Sequence, residues 1–222
     1  MALDQTQEPA CEPVGLPEAL NYCRVDPDLT EELSLVKLLL SAARRYAEHY
    51  TARSLITQKW RLTLDGFPGA GLMGMNWRSG YAGLNWRTGF LHPGPPVLLE
   101  RGKVQKVDSI AYTATDGTTV TISNPAAPNY AIDLSGPVAR LTPGFGYVWP
   151  IPLPQIGCVR IDYTAGYGDT PDTIPEGIRD WILMRVKSRF DMRGEVAAPQ
   201  RGKIEPLPWV DGLLDPYRII LM

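Results

Sequence analysis

Residues 28–50 restrict the possible folds more than any other stretch. Apolar side chains fall at Leu29, Leu33, Val36, Leu40, Ala43, Ala47 and Tyr50, a 4-3-4-3-4-3 spacing that lines one face of an α-helix. A second line, Leu35, Leu39, Ala42 and Tyr46, widens that face. A stripe so broad packs on more than one neighbour. Asp28 reads as the N-cap, Glu31 completes a capping box, and Pro27 stops the helix from extending backwards. The pattern fits an ordinary core helix first, and otherwise one that also packs between subunits of an assembly.

Composition narrows the function. Gly and Pro account for 42 of 222 residues, 21 each, so turns and irregular connections occupy much of the chain. A net charge of −2 supplies no overall basic field to draw in nucleic acid. The three cysteines, Cys11, Cys23 and Cys158, form no C-x-x-C pair, and an odd count argues for a reducing compartment over a disulfide framework. The first 13 residues are acidic and lack an apolar signal-peptide core. The longest aliphatic run, Leu38 to Leu40, is far too short to span a bilayer.

In chain order, residues 1–15 read as an extended arm and 16–22 as a short helix, with Pro17 at its first position and Glu18 in its first turn. The period then shifts. In residues 58–65, Trp60, Leu62 and Leu64 alternate with Lys59, Arg61 and Thr63, as in a half-buried strand. Further strands are expected at 97–100, 103–112, 118–123, 130–134, 138–142 and 158–164, with Asp116-Gly117 as a type I′ hairpin turn. Helix returns at 173–194, with Pro175 and Glu176 at its start, Ile178, Trp181, Ile182, Val186 and Phe190 along its stripe, and Gly194 as its stop. The fold class expected is α+β: a helical body from 1–56 and 171–194, an inserted antiparallel β-module at 57–170, and an extended tail at 195–222.

Three stretches invite a contact role. Residues 69–96 contain a nine-residue internal repeat, Asn76-Trp77-Arg78-Ser79-Gly80-Tyr81 and Asn85-Trp86-Arg87-Thr88-Gly89-Phe90. This reads as a long loop or twisted hairpin. Trp77, Arg78, Trp86 and Arg87 are residue types enriched at interface hot spots. The same loop supports an alternative function, a β-module that stacks aromatics on a carbohydrate or other ligand. From Arg179 to Lys203 there are seven Lys or Arg against three Asp or Glu, and Arg185, Lys187, Arg189 and Arg193 read as either a solvated face or a surface turned toward phosphates. Finally, residues 204–222 carry Trp209, Leu213, Leu214, Tyr217, Ile219, Ile220 and Leu221. A free tail would be polar, so these pack on their own domain or on another chain.

No catalytic constellation is visible. His49 and His92 lack a Cys or His at zinc-ligand spacing, and there is no G-x-S-x-G, P-loop or H-E-x-x-H. Gly66 to Gly74 contains a G-x-G outside any strand–turn–helix unit. Asp162 and Asp169 near the end of the last strand read as turn formers. No metal, cofactor or catalytic residue is expected.

The order of motifs carries a resemblance. It runs from PVGLPEALNYCRVDPD through AARRYAEHYTARSLITQKWRLTLDGFP, the AYTATDGT turn, VRIDYTAGYGD and IPEGIRDWILMRV to DGLLDPYR. Across residues 13–222 the chain resembles the head–tail connector (adaptor) family of tailed bacteriophages and gene-transfer particles. The resemblance implies a virion structural protein at the head–tail interface, assembled in the bacterial host cytoplasm. Such a subunit forms a dodecameric ring below the portal, continues the DNA channel without reading sequence, and docks a stopper, another head-completion protein or the tail. It further implies ring-forming helices at 28–50 and 174–190 (Leu33, Val36, Leu40, Tyr46, Ile178, Trp181, Ile182) and a portal-binding tail at 204–222 (Trp209, Leu213, Leu214, Tyr217, Ile219, Ile220). Residues 76–90 have no counterpart in the family pattern.

Overall fold

A computed structural model describes residues 1–68, 95–122, 129–192 and 212–219. The element order is β1 (Ala2–Gln7), α1 (Leu16–Cys23), α2 (Thr30–Thr51), β2 (Gln58–Leu64), β3 (Val97–Leu99), β4 (Val104–Thr113), β5 (Thr119–Ile122), β6 (Tyr130–Asp133), β7 (Ala139–Pro143), β8 (Val159–Ala165) and α3 (Glu176–Asp191). The fold is α+β. It divides into a β unit, Met1–Glu8 with Gln58–Ala165, and a helical unit, Pro9–Thr57 with Gly166–Met222.

In the β unit a five-stranded antiparallel sheet runs β1-β2-β8-β4-β5 and a three-stranded sheet runs β3-β7-β6. The two-residue period explains their shared core. Trp60 and Leu62 of β2 and Val159, Ile161 and Tyr163 of β8 point inward, where Val97, Leu99 and Leu141 of the smaller sheet meet them. The outward positions between them are polar: Arg61 and Asp162 sit opposite each other and pair at 2.7 Å, and Ser109 also donates to Asp162. Asp162 is therefore a cross-strand partner in mid-strand, not a turn former.

Two local expectations are corrected here. Residues 2–7, read as part of an arm beside the helices, pair with β2 as the edge strand of the larger sheet. The Asp116-Gly117 turn is a three-residue loop. Ala114 N–H donates to Thr118 O, Gly117 N–H donates back to Ala114 O, and Gly117 has φ +84°. A type I′ turn needs positive φ at both central residues, whereas only Gly117 supplies it, as in a type I turn followed by a bulge. The Asp116 carboxylate accepts from the Thr118 N–H and hydroxyl, and these bonds lower its pKa.

The helical unit packs α2 against α1 and α3. Val36, Leu40, Ala43 and Ala47 of α2 meet Ala19, Leu20 and Cys23 of α1 and Ile178, Trp181, Ile182 and Val186 of α3. The start of α2 differs from expectation. Its N-cap is Leu29, without a side-chain cap, and the Asp26 carboxylate instead accepts from Asp28 N–H. An Asx turn at Asp26-Pro27-Asp28 takes the local donor first and moves the helix start past Asp28. At the other end Ala52 closes α2 at φ 53°, and Arg24 closes α1 at φ 57°. Both adopt the left-handed cap that glycine occupies at lowest cost. α3 ends at Asp191, and Gly194, expected as its stop, lies outside the described residues. The three cysteines are unbonded.

Candidate assembly surfaces

The helical stripe turns out to be internal. Val36, Leu40, Ile178, Trp181 and Ile182, assigned above to ring contacts, are at most 3% exposed and fill the helical unit's own core, with Leu33 packed at its edge. The remaining assigned residue, Tyr46, is 44% exposed. It stacks on Trp181 with ring centroids 5.4 Å apart and on Tyr50 at 6.2 Å. Arg185 lies over Tyr46, the middle ring of this ladder, and Arg218 over Tyr50 at its end. What α2 leaves uncovered centres on Leu38, which lies outside both apolar lines and is largely exposed; Leu35 and Ala42 beside it are half-buried, while Leu39 of the second line packs on the core.

The tail also folds inward. Leu214 is fully buried and Ile219 nearly so, while Leu213 and Tyr217 pack on the helical core. Polar bonds fix the same segment. The Tyr50 hydroxyl donates to Asp215 at 2.6 Å, Arg53 Nε donates to the Tyr217 carbonyl at 2.6 Å, and Ile219 N–H donates to the Thr51 carbonyl at 3.0 Å. Tyr217 sits so close to Gly177 that a Cβ there would lie 3.1 Å from its hydroxyl. Of the two alternatives left open for the apolar tail, residues 212–219 take the first, packing on their own domain. Trp209 and Ile220 lie outside the described residues, as do Trp77, Arg78, Trp86, Arg87 and Arg193.

A buried ion network stiffens the helical unit. Arg44 pairs with Glu48 at 3.1 Å and with Glu12 at 2.9 Å, and Glu48 also accepts the Leu55 N–H. These charges are satisfied internally, so they hold the segment after α2 rather than face a ligand. Among the candidate channel cations, Lys187 pairs with Asp191 at 2.6 Å, Arg185 caps Tyr46, and Arg189 is exposed in the last turn of α3.

One hollow is described, and no catalytic set of groups among the described residues lines it. An open, mostly apolar depression of about 470 Å³ in the helical unit is lined by Cys11, Val14, Leu16 and Leu40, with Glu12 and Lys37. Burial pushes the Cys11 thiol up, and the Glu12 and Asp169 carboxylates push it further, so it stays protonated and is a poor nucleophile. Among the described residues no group of three His, Cys, Asp or Glu is placed to hold a metal. No described helix is long and apolar enough to cross a membrane.

The β unit carries the most exposed apolar surface. Between β7 and β8, Phe145, Tyr147, Val148, Ile151 and Ile156 project into solvent. Trp149 in their midst turns inward and stacks on Phe67, with centroids 4.6 Å apart and planes 7° apart. From sequence alone residues 143–154 read as a Gly/Pro/aromatic crossing; the inward Trp149 among outward apolar residues is a pattern without helix or strand period.

Comparison with known proteins supplies the fold's relatives. The chain is similar over its whole length to chains of gene transfer agent particles. One, in a native gene transfer agent virion, is 18% identical with a TM-score of 0.70. Another, in the neck of an empty particle computed with C6 symmetry, is 19% identical with a TM-score of 0.71. A third, in the neck of a native particle computed with C12 symmetry, is 20% identical with a TM-score of 0.57. Each match covers 100% of this chain and 97% of the other. At such identities the likeness is one of fold. No protein-family model and no curated protein matches the sequence.

Proposed function

We propose that the chain is a structural subunit of the neck of a phage-like particle, a head–tail adaptor that forms a ring below the portal. The observation that carries this reading is the end-to-end fold likeness to particle and neck chains, covering 100% of this chain and 97% of theirs. A likeness that spans both units, rather than one module, argues for the same kind of part. The uncovered apolar surfaces agree with it, because a chain that works alone in water seldom keeps so many. No chemical reaction is part of the proposal.

In this reading twelve copies form the ring, with the outer surfaces of α2 and α3 in its body. Arg185, Lys187 and Arg189, with Arg193, face the DNA path. Their contact with the passing duplex is electrostatic, weak and indifferent to sequence, which lets the genome slide. The buried Leu214 and Ile219, with the half-buried Leu213 and Tyr217, act as a clamp that fixes the tail to its own helical unit. Portal docking then falls to Trp209 and Ile220, and the ring's other face meets the stopper or tail. The particle's head–tail junction is the site of action.

Light scattering and negative-stain imaging of the purified chain, alone and with the portal of the same particle, test the proposal. A closed ring in either preparation is the expected outcome. A monomer in both would refute it.

A further inference from the structure

The loop between β7 and β8 is built to be covered. Residues 143–159 carry no charged side chain, in a chain where 21% of residues are charged. Phe145 is fully exposed, Ile156 is 89% exposed and Val148 70% exposed. A permanently wet loop of this length would be polar. Nor is it slack. Trp149 is anchored on Phe67, Leu153 N–H donates to Thr113 O at 2.8 Å, Gly144 N–H to Asn129 O at 3.1 Å, and Gly157 N–H to the Asp65 carboxylate at 2.9 Å. Apolar side chains held outward on a fixed backbone form a preorganised contact surface, because little ordering entropy remains to be lost on binding.

We propose that this loop is the self-association surface of the chain, and that it docks on the uncovered Leu38 line of α2 in the next copy. The inference rests on the ring reading above. Identical subunits closing a ring meet head to tail, so each must carry two different patches that fit each other. Two apolar patches among the described residues suit this pairing. One is the loop with Phe145, Val148, Ile151 and Ile156. The other is the α2 line of Leu35, Leu38 and Ala42, 64% exposed at Leu38. Each is apolar, and each lies on a different unit of the chain. A patch that paired with its own kind would give a two-fold dimer and leave the other patch bare.

The experiment uses two full-length variants, Ile156→Asp and Leu38→Asp, with native mass spectrometry and thermal unfolding on each. Both substitutions are at exposed positions, so unfolding midpoints should match the parent. If one variant unfolds, Val148→Ser or Leu38→Ser replaces it. We expect the parent to form a ring and each variant to need about 100-fold higher concentration to associate, since each places a charge in a desolvated apolar contact. Mixed together, the two should form a pair of one chain each and nothing larger, since one intact loop still meets one intact α2 line. Rings from both variants would overturn the inference while leaving the ring reading standing. So would variants that close rings but fail to attach a different neck protein, or a mixture that stays monomeric. A parent that never forms rings would instead bring down the ring reading itself.

Discussion

The backbone N–H of Ile219 donates to the carbonyl oxygen of Thr51 at 3.0 Å. Thr51 is the last residue of α2, and its carbonyl is one of the four that a helix C-terminus leaves without an internal partner. The tail therefore finishes the helix that organises its unit. Leu214, just before the 3-10 turn Asp215–Tyr217, is fully buried and should behave as a core residue. We expect Leu214→Ala to lower the free energy of unfolding by about 2–5 kcal/mol, the usual cost of an unrelaxed Leu cavity. Denaturant titration checks this. A cost near zero would mean that the segment is not held against its own unit.

The Arg44 network makes a prediction about asymmetry. Removing Arg44 takes the counter-charge from Glu48, whose side chain is only 11% exposed and keeps the Leu55 N–H, so Arg44→Ala should cost about 3 kcal/mol. Glu12 is 34% exposed and can be rehydrated. Glu12→Gln should cost about 1 kcal/mol or less. Equal losses in the two variants would show that the network is not buried in the way described.

How much of this was legible beforehand depended on whether a signal was local. The α2 stripe was, because Val36, Leu40, Ala43 and Ala47 repeat at helical spacing and end in the core. The helix start was not, because Asp26 and Asp28 both offer a carboxylate and only the Asx turn decides between them. β1 was invisible, since Leu3 is its sole half-buried position and a strand of ALDQTQ is defined by its partner β2. The resemblance puts Ile178, Trp181 and Ile182 at ring contacts, whereas they fill their own unit's core; periodicity marks a face to be buried without naming what buries it. The exposed loop at 144–157 has no period at all. Its meaning came from the inward turn of Trp149.

Two non-glycine residues occupy left-handed caps. Ala52 has φ 53° and ψ 35°, and Arg24 has φ 57° and ψ 43°. Glycine relieves the Cβ crowding there and gives back part of the gain through its greater freedom when unfolded. We expect Ala52→Gly to raise stability by about 0.5–1 kcal/mol, although glycine weakens almost any other helix position. Gly166 should respond in the opposite direction. It has φ +148°, and a Cβ would sit 2.6–2.7 Å from the backbone of Ile56 and Thr57. Gly166→Ala should cost more than about 1 kcal/mol. Thermal melts of the two variants should move apart.

Acid should act on the β6–β7 turn. The Ser135 hydroxyl and N–H donate to the Asp133 carboxylate, and Arg140 pairs with it, so its pKa is held well below the ordinary carboxylate value. A depressed folded pKa contributes stability that is complete above the free carboxylate's value, about 4. That contribution is withdrawn as the pH falls from there toward the folded value. Asp133→Asn should therefore unfold more readily than the parent at pH 7, and the gap should narrow as the pH falls below about 4, closing only as it approaches the depressed folded value. A gap that stays constant across this range would contradict the linkage.

The most direct test of the neck assignment is to look at the particle. Particles assembled from a chain carrying a compact electron-dense label should be imaged, and the label located along the particle axis. We expect it in a ring at the junction of head and tail, in about as many copies as the ring has subunits. Label on the tail tip or the capsid shell, or particles that assemble and deliver DNA normally when the chain is deleted, would contradict the assignment.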